Sequence, residues 1–119
     1  MMKYGLSDDT WGPEEYQAIN DVIESRQFTM GSQVKAYEKK FALKVGARHA
    51  VMVNSGSSAN LIAIAALVID GRLNKGDEVI VPAVSWSTTY YPLHQYGLSL
   101  RFVDININTL NMDVNAFEQ

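Results

Sequence analysis

Cysteine is absent from these 119 residues, and with it go disulfides, thiolate metal ligands and cysteine nucleophiles. The lack also fits a reducing compartment. Lys and Arg total 10 against 13 Asp and Glu, for a net charge of −3, and they form no basic run. Without a cationic stripe the chain has no electrostatic footprint for nucleic acid. The longest apolar run, residues 61–69, is nine residues, against the ~20 needed to cross a bilayer. The N-terminal residues carry no apolar h-region, so no signal peptide is expected. These absences together predict a cytoplasmic protein that binds neither membrane nor nucleic acid.

What remains is an ordinary globular composition, 47% hydrophobic and 19% charged. Thr10-Trp11-Gly12-Pro13-Glu14-Glu15 reads as a helix start: proline suits the first turn, and the two acids complement the positive helix end. Asp8 and Asp9 read as part of the same solvated start. Tyr16, Ile19, Val22 and Ile23 continue at helical spacing. A second amphipathic helix is predicted from Ser32, with Val34, Tyr37, Phe41 and Val45 on one face and Gly46 as its left-handed cap. These two helices define an N-terminal helical segment, residues 1–49.

From residue 50 the pattern alternates. Residues 50–53 read as a strand, 57–69 as a helix ending near Gly71, and 78–81 as a strand stopped by Pro82. Residues 88–96 read as a helix stopped by Gly97, and 100–104 as a third strand. Strands separated by helix-length segments predict βαβ crossovers in an α/β sheet. The helix over 57–69 is apolar or small almost all round and needs cover on more than one side, which three strands supply poorly. Residues 111–119 read as a helix cap followed by barely one turn. Both features predict that the chain is the front part of a larger protein, or a truncated one.

Two loops carry candidate chemistry. In a parallel α/β sheet, ligands bind beyond the carboxyl ends of the strands. Asn54-Ser55-Gly56-Ser57-Ser58-Ala59-Asn60 and Val81-Pro82-Ala83-Val84-Ser85-Trp86-Ser87-Thr88-Thr89 both follow predicted strands, so both are expected on one sheet edge. Gly56 would admit a close backbone approach. Ser57 and Ser58 add hydroxyls, and the following helix offers unpaired N–H groups to a phosphate. The plainer reading is that Ser55 or Ser57 caps the helix while Gly56 makes a turn. No Gly-x-Gly-x-x-Gly and no Walker A loop is present. Trp86 is either a core residue or a ring left free to stack on a flat ligand. His49 and His94 lack metal-type spacing and read as surface or capping residues. Tyr90, Tyr91 and Tyr96 read as half-buried packing residues.

At these residues the chain resembles the DegT/DnrJ/EryC1/StrS sugar aminotransferase and dehydratase family. The stretch 81–93 carries the likeness, with Phe28-Thr29-Met30-Gly31, Ala50-Val51-Met52-Val53 and residues 103–111. Residues 54–60 also resemble iron–sulfur-dependent CDP-sugar 3-dehydrase relatives, which usually lack a tryptophan at the position of Trp86.

The resemblance implies the N-terminal part of the large domain of a fold-type I transferase dependent on pyridoxal 5′-phosphate, with a mostly parallel sheet and helices on both faces. It implies that Gly56, Ser57 and Ser58 hold the cofactor phosphate and that Trp86 stacks on the pyridine ring. It further implies that Arg26, Gln27, Phe28 and Thr29 meet a nucleotide-sugar at a homodimer interface. The implied chemistry is 3-deoxygenation of a nucleotide-linked 4-keto-6-deoxyhexose in lipopolysaccharide or O-antigen synthesis, with pyridoxamine 5′-phosphate as the working form. Transamination of a similar ketosugar is the alternative within the family, and a non-catalytic phosphate-binding α/β module is the alternative outside it. The family's Schiff-base lysine, or the histidine that replaces it in the dehydratase, is expected beyond residue 119, as is the acidic partner of the pyridine nitrogen. No catalytic residue is therefore expected within this chain, which would be inactive by itself.

Overall fold

The computed structural model describes residues 9–117. The expectations for the leader segment, for Asp8 and for Glu118 and Gln119 lie outside the described residues. The chain divides into two compact units, one up to Met52 and one from Val53.

The first unit is helical. α1 spans Pro13–Ser25, with proline in its first turn as expected. Gly12 has no side chain to cap with, so Glu15 supplies half a capping box: its carboxylate accepts from the Gly12 N–H at 2.7 Å. That bond holds the Glu15 carboxyl below its ordinary pKa. α1 ends at Arg26, which takes a left-handed conformation with φ 56°. α2 spans Ser32–Val45 and closes on Gly46 at φ 70°, as expected. Among the described residues of this unit, Ala42 is the buried one.

Residues 50–53 form no strand, contrary to expectation. A strand exists only through a partner, and none among the described residues pairs with this stretch. The Met52 N–H instead donates to the Glu38 carboxylate at 2.8 Å.

The second unit begins with α3, Gly56–Ile69. Two strands follow, β1 (Glu78–Pro82) and β2 (Ser99–Val103), paired in parallel from Glu78 opposite Ser99 to Pro82 opposite Val103. Parallel strands cannot be joined by a tight turn, and the crossover here is made by a 3₁₀ turn, Ser87–Thr89, and a short helix α4, Tyr91–Gln95. A single helix over 88–96 was expected. Pro92 breaks it, because proline has no N–H to bond the Thr88 carbonyl four residues earlier. A last turn, α5, covers Val114–Phe117.

The core of this unit is Val81, Leu93 and Leu98, with Ile64, Leu73, Val79, Tyr90 and Leu100 packed against it. Through Ile64, one face of α3 thereby packs against the core shared by β1 and the crossover helix α4. α3 itself has no fully buried residue, and Ile62, Leu67 and Ile69 stay exposed. The all-round apolar helix foreseen in the sequence is only partly covered by its own unit. No helix among the described residues is long and apolar enough to cross a membrane.

Candidate functional site

The site is built from the start of α3 and the turn after β1. Ser55 is the N-cap of α3: its Oγ accepts from the Ser58 N–H at 3.2 Å and lies 3.2 Å from the Ser58 hydroxyl. The capping reading of the sequence is therefore right, with Ser55 in the role. It does not compete with anion binding. One orphan N–H is satisfied by Ser55, while those of Gly56 and Ser57 find no acceptor among the described residues. Gly56 is the first residue of the helix rather than a turn. A Cβ built on it would meet nothing within 4 Å, so the space beside Gly56 is open. No charged side chain occurs in residues 54–61 or 82–92. The positive end of a 14-residue helix is the local attraction for an anion.

The second loop leaves β1 at Pro82 and reaches Trp86 at the mouth of the 3₁₀ turn. Trp86 is 76% exposed, so it is not a core residue. Its carbonyl accepts from the Thr89 N–H at 2.9 Å. The turn is tied internally by a 2.9 Å contact between the Ser85 and Thr89 hydroxyls. The Tyr90 hydroxyl donates to the Pro82 carbonyl at 2.6 Å, and the Tyr90 ring meets Phe102 edge-on. These bonds keep the loop folded while the indole projects outward.

The two loops meet. The Asn60 side-chain amide donates to the Thr88 carbonyl at 3.2 Å. A hollow of about 190 Å³ lies between them, lined by Ser57, Ser58, Leu61, Thr88, Tyr91 and Gln95 among others. Gly56 and Trp86 stand outside this lining. The start of α3 and the turn led by Trp86 are thus joined on one side of the second unit by the Asn60–Thr88 bond, although the strand expected before Asn54 is not formed.

The sequence missed Thr88, Tyr91 and Gln95 as lining residues. Tyr91 was expected to be half-buried and is exposed, whereas Tyr90 and Tyr96 are half-buried as expected. The signal that could have revealed the hollow is Pro92, which splits the helix and turns its first residues toward α3.

Arg26, Gln27, Phe28 and Thr29 lie in the first unit, just after α1, and all four are exposed. The segment is kept compact by the Gln27 N–H, which donates to Ser25 Oγ at 3.2 Å. Gly31 packs so closely on Gln27 that an added Cβ would lie 3.1 Å from its Cβ. His49 borders a separate hollow with Glu38, Lys39 and Arg48 in that unit. No metal-binding group gathers among the described residues.

A phosphate with a planar ring fits these parts. Two open helix amides can donate to an anion, and an exposed indole on the adjoining turn can cover an aromatic face. The residues present therefore suit pyridoxal phosphate.

Comparison with known proteins agrees. The chain is 58% identical, over its whole length, to GDP-4-keto-6-deoxy-D-mannose 3-dehydratase of Escherichia coli O55:H7, of which it spans 31%. The E. coli GDP-4-keto-6-deoxy-D-mannose-3-dehydratase with bound hydrated PLP superposes with a TM-score of 0.91 at 58% identity, covering 99% of this chain and 31% of that one. A mutant GDP-4-keto-6-deoxymannose-3-dehydratase with bound GDP-perosamine superposes with a TM-score of 0.90 at 58% identity, covering 98% of this chain and 31% of that one. The fold is thus the α/β fold of pyridoxal-phosphate-dependent, aminotransferase-like enzymes. Residues 9–119 match the model of the DegT/DnrJ/EryC1/StrS aminotransferase family, and the chain belongs to that family.

Proposed function

We propose that this chain forms the N-terminal part of a pyridoxal-phosphate-dependent 3-dehydratase acting on a GDP-linked 4-keto-6-deoxyhexose in O-antigen synthesis. Residues 1–49 would be its N-terminal helical segment and residues 50–119 the start of its cofactor-binding large domain. The reading is carried by the open amides of Gly56 and Ser57 at the start of α3, next to the turn that Trp86 leads. The 58% identity to a dehydratase over the whole chain supports it.

When bound in its amine form, the cofactor would supply an electron sink through which a C–H bond of its own aminomethyl carbon can ionise and the sugar's C3 hydroxyl can leave. This chain's residues bind and orient. The Gly56 and Ser57 amides donate to the phosphate, and the Ser58 hydroxyl is a further donor at the same turn. Trp86 covers one ring face, excludes water from it and fixes its plane. Arg26, Gln27, Phe28 and Thr29 meet the nucleotide-sugar, in a homodimer. No residue of these 119 is assigned the acid–base step. The enzyme would work in the cytoplasm, with pyridoxamine 5′-phosphate as the form that meets the sugar.

The test uses the intact gene product with pyridoxal phosphate, glutamate and GDP-4-keto-6-deoxymannose. Dehydration yields a sugar without its C3 hydroxyl and releases ammonia. A product that retains nitrogen at C4 contradicts dehydration and identifies the transaminase alternative. Absence of cofactor uptake contradicts both.

A further inference from the structure

Two loops that grip different ends of one ligand need a fixed spacing before the ligand arrives. Between α3 and the 3₁₀ turn that spacing is set by Asn60, whose Nδ2 donates to the Thr88 carbonyl at 3.2 Å. The Thr88 carbonyl is available because Pro92, four residues on, has no N–H to offer it. Asn60 lies four residues after Gly56, about one turn along α3 from the open amides. Asparagine is a poor helix former, and at an exposed position it gives nothing to the core. The turn it holds is already stiffened by the Ser85–Thr89 and Tyr90–Pro82 bonds. One tether at Thr88 therefore moves or holds the whole turn, Trp86 included.

We propose that Asn60 is a positioning residue for the cofactor: it clamps the Trp86 turn to the phosphate end of α3, presetting the distance between anion site and ring face. This rests on the reading of Gly56, Ser57 and Trp86 as the cofactor site. Its value is preorganisation, since the spacing is ordered at folding rather than at binding.

The test compares Asn60→Ala and Asn60→Asp with the unmodified intact gene product. Without cofactor, amide hydrogen exchange at Thr89 and Tyr90 speeds up in Asn60→Ala, while exchange at the core residues Val81 and Leu93 does not change. The Kd for pyridoxal phosphate rises about five-fold in Asn60→Ala, as expected for one lost hydrogen bond. Asn60→Asp keeps the shape but turns an acceptor toward the carbonyl, and its Kd rises further. At saturating cofactor the visible circular dichroism of the bound ring changes in both variants, because the ring tilts with Trp86. Failure of the unmodified protein to take up pyridoxal phosphate overturns the proposed function. Uptake with the same Kd and dichroism in both variants as in the unmodified protein overturns the clamp alone.

Discussion

Removing the indole of Trp86 separates a binding role from a folding role. A tryptophan presents up to ~250 Å² of surface, and here 76% of the residue is exposed. A planar ligand lying on one face would cover roughly 80 Å², worth about 2 kcal/mol at ~25 cal/mol/Å². Trp86→Ala should therefore raise the Kd for pyridoxal phosphate about 30-fold. The aromatic pairs among the described residues join Trp11 with Tyr16, Tyr37 with Phe41, and Tyr90 with Phe102, leaving Trp86 out. Its loss should then change the stability of the cofactor-free protein by less than ~0.5 kcal/mol, as at surface sites generally. Leu93, 6% exposed within the core, gives the opposite pattern: Leu93→Ala costs about 2–5 kcal/mol of stability. The assay is a cofactor titration followed by absorbance, paired with urea unfolding of the cofactor-free protein. An unchanged Kd in Trp86→Ala refutes the stacking role. A raised Kd accompanied by a matching loss of stability refutes the claim that the ring is free.

Three further outcomes follow from the geometry. Gly97 sits at φ 77°, where an added Cβ would lie 2.9 Å from the Lys75 side chain. Gly97→Ala should destabilise by about 1–2 kcal/mol in denaturant unfolding, mainly through the left-handed backbone. Tyr90→Phe keeps the ring on Phe102 but removes the donor to Pro82. It should lose about 1 kcal/mol in the same assay, and an unchanged midpoint would deny that bond a role. Glu15 has its carboxyl pKa lowered by the Gly12 N–H. Its contribution is full above the carboxyl's unfolded pKa and fades as pH falls through the lower folded value. Glu15→Ala should therefore flatten that acid limb of the stability profile, and an NMR titration of Glu15 at the ordinary carboxylate pKa would contradict the assignment.

The helices were legible because their ends are written in single residues. Pro13 opens α1, and Gly46 closes α2 in the left-handed form the sequence asked for. The β1–crossover–β2 order was readable from two short apolar runs and the helix-length segment between them. What the sequence could not give was partnership. Residues 50–53 have a strand's composition, but a ladder needs a second backbone, and Met52 bonds Glu38 instead. The expected single helix over 88–96 took no account of Pro92, whose missing N–H splits it and frees the Thr88 carbonyl. The same carbonyl then became the anchor for Asn60, a contact spanning 28 residues that no local pattern encodes. At the site, the helix start near Ser57 was legible, whereas Gly56 as its first residue was not. The choice of Ser55 over Ser57 as the cap, and the exposure of Trp86, required coordinates.

The most direct measurement is a crystal structure of the intact gene product soaked with pyridoxal 5′-phosphate. The account predicts phosphate oxygens within hydrogen-bond distance of the Gly56 and Ser57 amides, and the indole of Trp86 lying flat against the pyridine ring. Phosphate density elsewhere, or a ring with Trp86 still facing solvent, would contradict it.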